Sequence, residues 1–135
     1  MKYLALLFPL LLTACATTST NEPRAMRIPS HGAVSTIGVG DTLYEWRYAT
    51  IDQMLRGQGW KKELVYLGMK DDQIRVVFRD YTGNLRKPSI EQESQHDFER
   101  GSAFSYNGAE IMVLNVDGGQ LTYQVGSGFR SEIGE

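Results

Sequence analysis

Apolar and polar residues alternate along most of the chain from Val34 onward, which is the period expected of half-buried β-strands. Tyr44, Trp46 and Tyr48 share one face of the first clear strand. Residues 64–67 are apolar on both faces, which indicates a central position in a sheet. Clusters of glycine with acidic residues, as in residues 68–72, separate the apolar runs and predict turns.

The remaining strands follow the same alternation. Residues 74–81 predict the second half of a hairpin that begins at residues 64–67. A turn at residues 82–84 follows, and a later turn at residues 117–120 predicts another hairpin. Three further strands are expected at residues 103–106, 111–116 and 121–125. We therefore predict an all-β domain over residues 34–126, a small antiparallel barrel or sandwich of about six or seven strands.

Two segments allow a second interpretation. Residues 89–98 fit an edge strand, which is favoured because both faces are polar, but residues 89–92 also fit a helix capping box. Residues 50–55 fit a single helical turn that is capped by Thr50 and ends near Gly57.

The first residues have a different pattern. Lys2 precedes an apolar run over residues 3–12, as in the n-region and h-region of a secretory signal. Ten helical residues span about 15 Å, roughly half a hydrocarbon core, so the run is too short for a transmembrane helix. The run ends in Leu12-Thr13-Ala14-Cys15, which resembles the lipobox of bacterial lipoproteins. An ordinary secretory signal followed by a chance cysteine is the alternative.

The lipobox resemblance implies a signal peptide over residues 1–14 and cleavage between Ala14 and Cys15. In that family the cysteine thiol receives diacylglycerol and the new amino terminus is often acylated, for example with palmitate. Two or more acyl chains hold a protein firmly on a bilayer. Ala16 stands where an aspartate retains such lipoproteins at the inner membrane, so the resemblance implies the outer membrane, facing the periplasm, in a Gram-negative host.

Both flanks of the β domain are predicted to be irregular. Residues 15–33 combine the candidate lipidated cysteine with a polar stretch that predicts a flexible tether, with a mean reach of about 20 to 25 Å. Residues 127–135 predict a frayed tail.

Composition narrows the function classes. The chain has 135 residues, of which 41% are hydrophobic and 22% charged, and its formal net charge is -2, which fits one small globular domain without a basic face for nucleic acid. Cys15 is the single cysteine, which excludes an intramolecular disulfide. No cofactor is expected beyond the acyl groups on Cys15.

Candidate catalytic and metal chemistry is weak. Gly38-Val39-Gly40-Asp41 lacks the third glycine and the lysine of a phosphate loop and predicts a turn. Glu93 and Asp97 could join His96 in a metal site if the segment were helical, but solvated charge on an edge strand is favoured. Ser94, His96 and Asp97 are the residue types of a hydrolase triad, yet in a strand His96 and Asp97 lie on opposite faces. We predict no catalytic and no metal-binding residue.

Aromatic side chains are the main feature with recognition potential. Tyrosine and tryptophan give rigid contact area with a polar tip, so Tyr44, Trp46, Tyr48 and Trp60 form the predicted binding surface. The expected function is a membrane-anchored envelope lipoprotein whose β domain is a noncatalytic binding or structural module, with an envelope protein or peptidoglycan as partner. A carrier of a small apolar ligand and an extracytoplasmic enzyme inhibitor are the alternatives.

Overall fold

The computed structural model describes residues 22–132. The predicted signal peptide, Cys15 and the cleavage site lie outside the described residues, as do residues 16–21 and 133–135. Within residues 22–132 the chain forms nine strands and one short helix. In chain order they are β1 Arg24–Ile28, β2 Val34–Ile37, β3 Thr42–Ala49, α1 Ile51–Leu55, β4 Gln58–Lys70, β5 Gln73–Asn84, β6 Ile90–Asp97, β7 Ala103–Tyr106, β8 Ala109–Asp117 and β9 Gln120–Ser127.

The strands form two antiparallel sheets that stack as a sandwich. The five-stranded sheet has the order β1-β3-β4-β5-β6, and the four-stranded sheet has the order β2-β9-β8-β7. The all-β prediction is confirmed, and a sandwich replaces the alternative of a barrel. The seven predicted strands are all present, and β1 and β2 are additional. In the part of the chain that the structure describes, no helix is long and apolar enough to cross a membrane.

The core lies between the two sheets because alternate side chains of each strand point inward. β3, β4 and β5 supply apolar side chains from the five-stranded sheet, and β7, β8 and β9 supply them from the other. Four of the fully buried side chains are aromatic, namely those of Tyr44, Trp46, Tyr66 and Tyr123. The Tyr123 hydroxyl donates to the backbone carbonyl of Leu43, so it also joins the two sheets by a hydrogen bond.

β1 corrects the predicted tether. Arg24–Ile28 pairs antiparallel with β3, so the flexible segment cannot extend to residue 33. The alternation in this strand is inverted, because Met26 and Ile28 are exposed while Ala25 and Arg27 face inward. An arginine can face inward here because its Nε donates to the Glu132 carboxylate at 2.8 Å. A search for inward apolar residues therefore misses the strand.

The carboxyl-terminal segment corrects the predicted frayed tail over residues 127–132. β9 extends to Ser127, and Phe129 is a core residue with 4% exposure. Glu132 accepts hydrogen bonds from the Tyr44 hydroxyl and from the Phe129 amide, each at 2.7 Å. Together with its ion pair to Arg27, these contacts fasten the end of the described chain to β1 and β3.

Both ambiguous segments adopt the predicted structures. β6 is an edge strand, and Thr50 caps α1 through a capping box with Gln53. The turn predicted at residues 82–84 is wrong, because β5 continues to Asn84. Gly83 lies opposite Gly59 of β4 in the ladder, so a glycine that resembles a turn signal is a strand residue here.

Candidate functional site

Strand register assigns the loops to the two ends of the sandwich. Arg24 pairs with Ala49, the last residue of β3, and Gln58 pairs with Asn84. The start of β1, helix α1 and the β5–β6 connection therefore lie together, and we call this region the α1 end. The β4–β5 turn, which joins Lys70 to Gln73, marks the opposite end.

An aromatic run leads from the core to the α1 end. The ring centroids of Trp46 and Tyr48 lie 6.2 Å apart in parallel planes, and those of Tyr48 and Trp60 lie 6.1 Å apart. Exposure rises along the run, because Trp46 is 2% exposed, Tyr48 is partly buried and Trp60 is 39% exposed. Tyr44, at 0%, and Trp46 are core residues. They are wrong as members of the predicted binding surface, whereas Tyr48 and Trp60 stay accessible.

Helix α1 adds exposed apolar side chains beside this run. The Thr50 hydroxyl accepts from the Gln53 amide at 3.0 Å, and the Gln53 side chain accepts from the Thr50 amide at 2.9 Å. This reciprocal cap allows one helical turn to form without a packed face. Ile51 is 46% exposed and Leu55 is 82% exposed. A short helix thus presents two branched aliphatic side chains to the outside.

Two arginines line a cleft next to α1. Arg56, Gly57 and Gln58 form one wall, and Gly83, Asn84 and Arg86 form the other, around a volume of about 420 Å³. Arg56 makes an exposed ion pair with Asp52 at 3.3 Å, while no carboxylate within residues 22–132 pairs with Arg86.

Gly57 allows the close approach of the two walls of this cleft. Its φ of 68° ends the helix, and a Cβ at this position would lie 3.2 Å from Nε of Arg86. We call Tyr48, Ile51, Leu55, Arg56, Trp60 and Arg86 together the α1 surface.

Exposed basic and acidic side chains are distributed unequally between the two ends of the sandwich, although Asp52 lies on α1 and Lys70 lies at the opposite end. Arg24 and Lys87 are exposed beside the α1 surface and add to its two arginines. The opposite end instead collects exposed aspartates from separate turns and strand ends. They are Asp41, Asp71, Asp72, Asp97 and Asp117.

Gly38–Asp41 forms a turn at this opposite end, as predicted. The Asp41 carboxylate accepts from the Gly38 amide at 2.9 Å, and the Asp41 amide donates to the Gly38 carbonyl at 3.2 Å. The Gly38 amide therefore already donates to a carboxylate of the chain, whereas in a phosphate loop such an amide would donate to the bound anion.

Ser94 and His96 form a pair that the sequence interpretation missed. The Ser94 hydroxyl lies 2.9 Å from Nε2 of His96, because alternate residues of β6 share a face. The imidazole stacks on Phe104 with ring centroids 4.4 Å apart, and burial lowers the His96 pKa. Asp97 points to the other face, where it accepts from Gln73 at 2.9 Å. The structure thus separates the acid of the candidate triad from the serine and histidine, as the alternation predicted.

A buried carboxylate lies on the outer face of the five-stranded sheet. Glu63, only 5% exposed, accepts from the Tyr81 hydroxyl at 3.0 Å and has Lys61 and Arg79 each within 3.6 Å. Burial and the adjacent Glu63 raise the Tyr81 pKa. One hydrogen bond and two ion pairs with side chains of β4 and β5 compensate the negative charge of Glu63. This pairing explains how the carboxylate can be buried.

Metal ligands do not gather in the described part of the chain. Across residues 22–132 no group of three or more histidine, cysteine or acidic side chains is arranged to hold a metal ion. The acidic neighbours proposed for His96 from the sequence lie on β6 with their side chains alternating to the opposite face.

Comparisons with protein-family models, curated proteins and solved structures find no match for this chain. The candidate site therefore depends on the geometry described above. The strongest grouping is the α1 surface, where aromatic, aliphatic and guanidinium side chains are exposed at one end of the sandwich.

Sequence reasoning found part of the α1 surface and missed the rest. Tyr48 and Trp60 stood out as aromatic residues, and the Thr50 cap predicted α1. Arg86 could not be assigned, because it reaches the cleft only through pairing of Gln58 with Asn84. No local pattern marks a residue whose neighbours come from another strand.

Proposed function

We propose that this chain is a cell-envelope lipoprotein, anchored by acyl groups on Cys15, whose β-sandwich is a noncatalytic binding module. The observation that carries the proposal is the order Leu12-Thr13-Ala14-Cys15 behind one lysine and a short apolar run. The α1 surface, with its exposed aromatic, aliphatic and arginine side chains, is one contact surface of this module.

The position of β1 supports a short link between lipid and domain. The first strand begins at Arg24, so residues 16–23 join it to Cys15. At about 3.3 to 3.6 Å per residue, nine residue steps span at most about 30 Å. The anchored domain then stays close to the bilayer surface.

The proposed location is the outer membrane, on its periplasmic side, in a Gram-negative host. Ala16 supports this location because aspartate at that position is the retention signal in the family that the leader resembles. An envelope protein or peptidoglycan is the proposed partner of the module. The proposal includes no cofactor beyond the acyl groups on Cys15.

Membrane fractionation tests the anchor and its location. We expect the wild-type protein in the outer-membrane fraction, Cys15→Ser in the aqueous extract, and Ala16→Asp in the inner-membrane fraction. Circular dichroism of each purified variant checks that the β domain is folded. A wild-type protein that distributes like Cys15→Ser contradicts the proposal.

Crosslinking tests the binding module. Photo-crosslinking residues are placed one at a time on each face of the sandwich in the otherwise wild-type lipoprotein. We expect at least one position to give a specific adduct with an envelope component in intact cells. Wild-type protein that is correctly anchored but gives no specific adduct from any face of the sandwich contradicts the binding role.

A further inference from the structure

We propose that the α1 surface docks on anionic phospholipid headgroups of the same bilayer that holds the acyl chains. This inference rests on the proposed lipid anchor and adds a second membrane contact made by the folded domain. The surface gathers two exposed aliphatic residues, an exposed tryptophan and two arginines at one end of the sandwich.

The position of the tether favours this end over the other. The chain enters the fold at Arg24, which pairs with Ala49 immediately before α1. From Gly59, near this entry, to Lys70 at the opposite end, β4 spans about 36 Å at 3.3 Å per residue. The tether reaches at most about 30 Å. The tether therefore favours contact between the lipid and the α1 end, where the chain enters the fold. Contact through the opposite end, with the α1 end above it, would need a tether at least as long as the strand.

The chemistry of the α1 surface fits a membrane interface. Tryptophan prefers the headgroup level, where its apolar ring and its polar N–H are both accommodated. Leu55 and Ile51 supply apolar side chains that can enter the boundary with the acyl chains. Arg56 and Arg86 line a cleft whose walls also carry Gln58 and Asn84, side chains that can donate hydrogen bonds to a phosphate group.

The charge asymmetry of the sandwich gives the same orientation. Arg24 and Lys87 give the α1 end an excess of basic residues despite Asp52, whereas at the opposite end aspartates such as Asp71 and Asp72 outnumber Lys70. An anionic surface attracts the first end and repels the second within a Debye length, about 8 Å at physiological salt. Docking therefore leaves the acidic end free for a partner in the envelope.

Tryptophan fluorescence tests docking with the native side chains. The chain has two tryptophans, of which Trp60 is 39% exposed and Trp46 is 2% exposed. The mature lipidated protein is reconstituted in vesicles of phosphatidylcholine with or without phosphatidylglycerol, and bromine on the phospholipid acyl chains serves as a contact quencher. We expect strong quenching in vesicles that contain phosphatidylglycerol and weak quenching in phosphatidylcholine alone. The Trp60→Phe variant should lose the quenched component and report Trp46 alone.

Charge variants separate docking from the anchor. Each arginine near an anionic surface changes the ratio of docked to undocked protein about five-fold. Combining Arg56→Gln with Arg86→Gln should therefore lower this ratio by an order of magnitude or more. The matched control combines Lys70→Gln with Arg100→Gln, which removes the same charge elsewhere and should keep the wild-type quenching. Raising the salt to 1 M should also weaken quenching, because the Debye length falls to about 3 Å.

The outcomes distinguish this inference from the proposed function. Protein that carries acyl mass and floats with the vesicles, but shows the same weak Trp60 quenching with and without phosphatidylglycerol, overturns docking and leaves the anchor intact. Equal loss of quenching in the two charge pairs also overturns it. Protein without acyl mass overturns the anchor and, with it, the docking that depends on the tether.

Discussion

Strands β4 and β5 reach both ends of the sandwich, but the two ends are built differently. At the opposite end, β4 and β5 are joined by Asp71 and Asp72, whose φ angles of 52° and 60° close a two-residue hairpin. At the α1 end, the same two strands continue to Gln58 and Asn84 and frame a cleft with α1. One end is closed by local turn chemistry, and the other is assembled from three separate chain segments.

The comparison explains why aromatic residues on one strand face have different roles. Trp46 lies where the second sheet and the carboxyl-terminal segment cover β3, and it is buried. Tyr48 and Trp60 lie two strand positions closer to the α1 end and are more exposed. The boundary between core and exposed surface thus falls within a single aromatic run.

The largest expected change is in the free energy of unfolding, and it should distinguish the core tryptophan from the exposed one. Trp46→Ala removes a buried indole and should lower the free energy of unfolding by about 3 to 5 kcal/mol. Trp60→Ala removes a ring at the open end and should cost less than about 1 kcal/mol. Urea unfolding followed by circular dichroism measures both. Equal losses would contradict the assignment of Trp46 to the core and Trp60 to the surface.

Measuring the free energy of unfolding at increasing pH tests the environment of Tyr123, which lies in the interior nearer the opposite end. Burial raises the Tyr123 pKa to about 12, above the value of about 10 in an unfolded chain. The folded chain therefore holds the phenolic proton more tightly, and this stabilisation is complete below about pH 10 and is lost as the pH rises toward 12. The free energy of unfolding should fall by about 1.4 kcal/mol per pH unit from this residue.

Tyr123→Phe isolates that contribution. The variant loses the hydrogen bond to Leu43 at every pH, so its stability at pH 7 is lower, but its slope above pH 10 should be shallower than that of the wild type. An unchanged slope would mean that Tyr123 does not retain its proton in the folded interior.

The smallest expected effects have opposite signs at the two ends. Thr50→Ala removes the cap of α1 and should destabilise the α1 end by about 1 kcal/mol. Asp72→Gly places glycine where φ is positive and should stabilise the opposite end by at most about 1 kcal/mol. Thermal unfolding measures both, and hydrogen exchange of Gln53 reports the helix directly. The same sign for both variants would contradict the comparison.

The sequence predicts those parts of the fold that local patterns determine. Alternation located β3 to β9, and the cap at Thr50 located α1. β1 was missed because Arg27, rather than an apolar residue, faces inward and is paired with Glu132, which lies 105 residues away in the chain. The same long-range carboxylate orders a tail that looks frayed when only its own residues are considered.

The candidate site was less predictable for the same reason. Aromatic content identified Tyr48 and Trp60 but could not separate them from Tyr44 and Trp46, since burial depends on how far the second sheet extends. The arginine cleft needs the β4–β5 register, which no single segment encodes. Ser94 and His96 share a face by alternation, yet their hydrogen bond became evident only with the side chains in place.

The most direct test of the account is the mass of the amino-terminal peptide of the mature protein, purified from membranes. We expect a peptide that begins at Cys15 and carries diacylglycerol on the thiol, with a further acyl group where the amino terminus is modified. Cys15→Ser should lack this mass. A wild-type peptide that begins elsewhere, or that carries a free Cys15 thiol, would show that lipid on this cysteine does not hold the sandwich at the membrane.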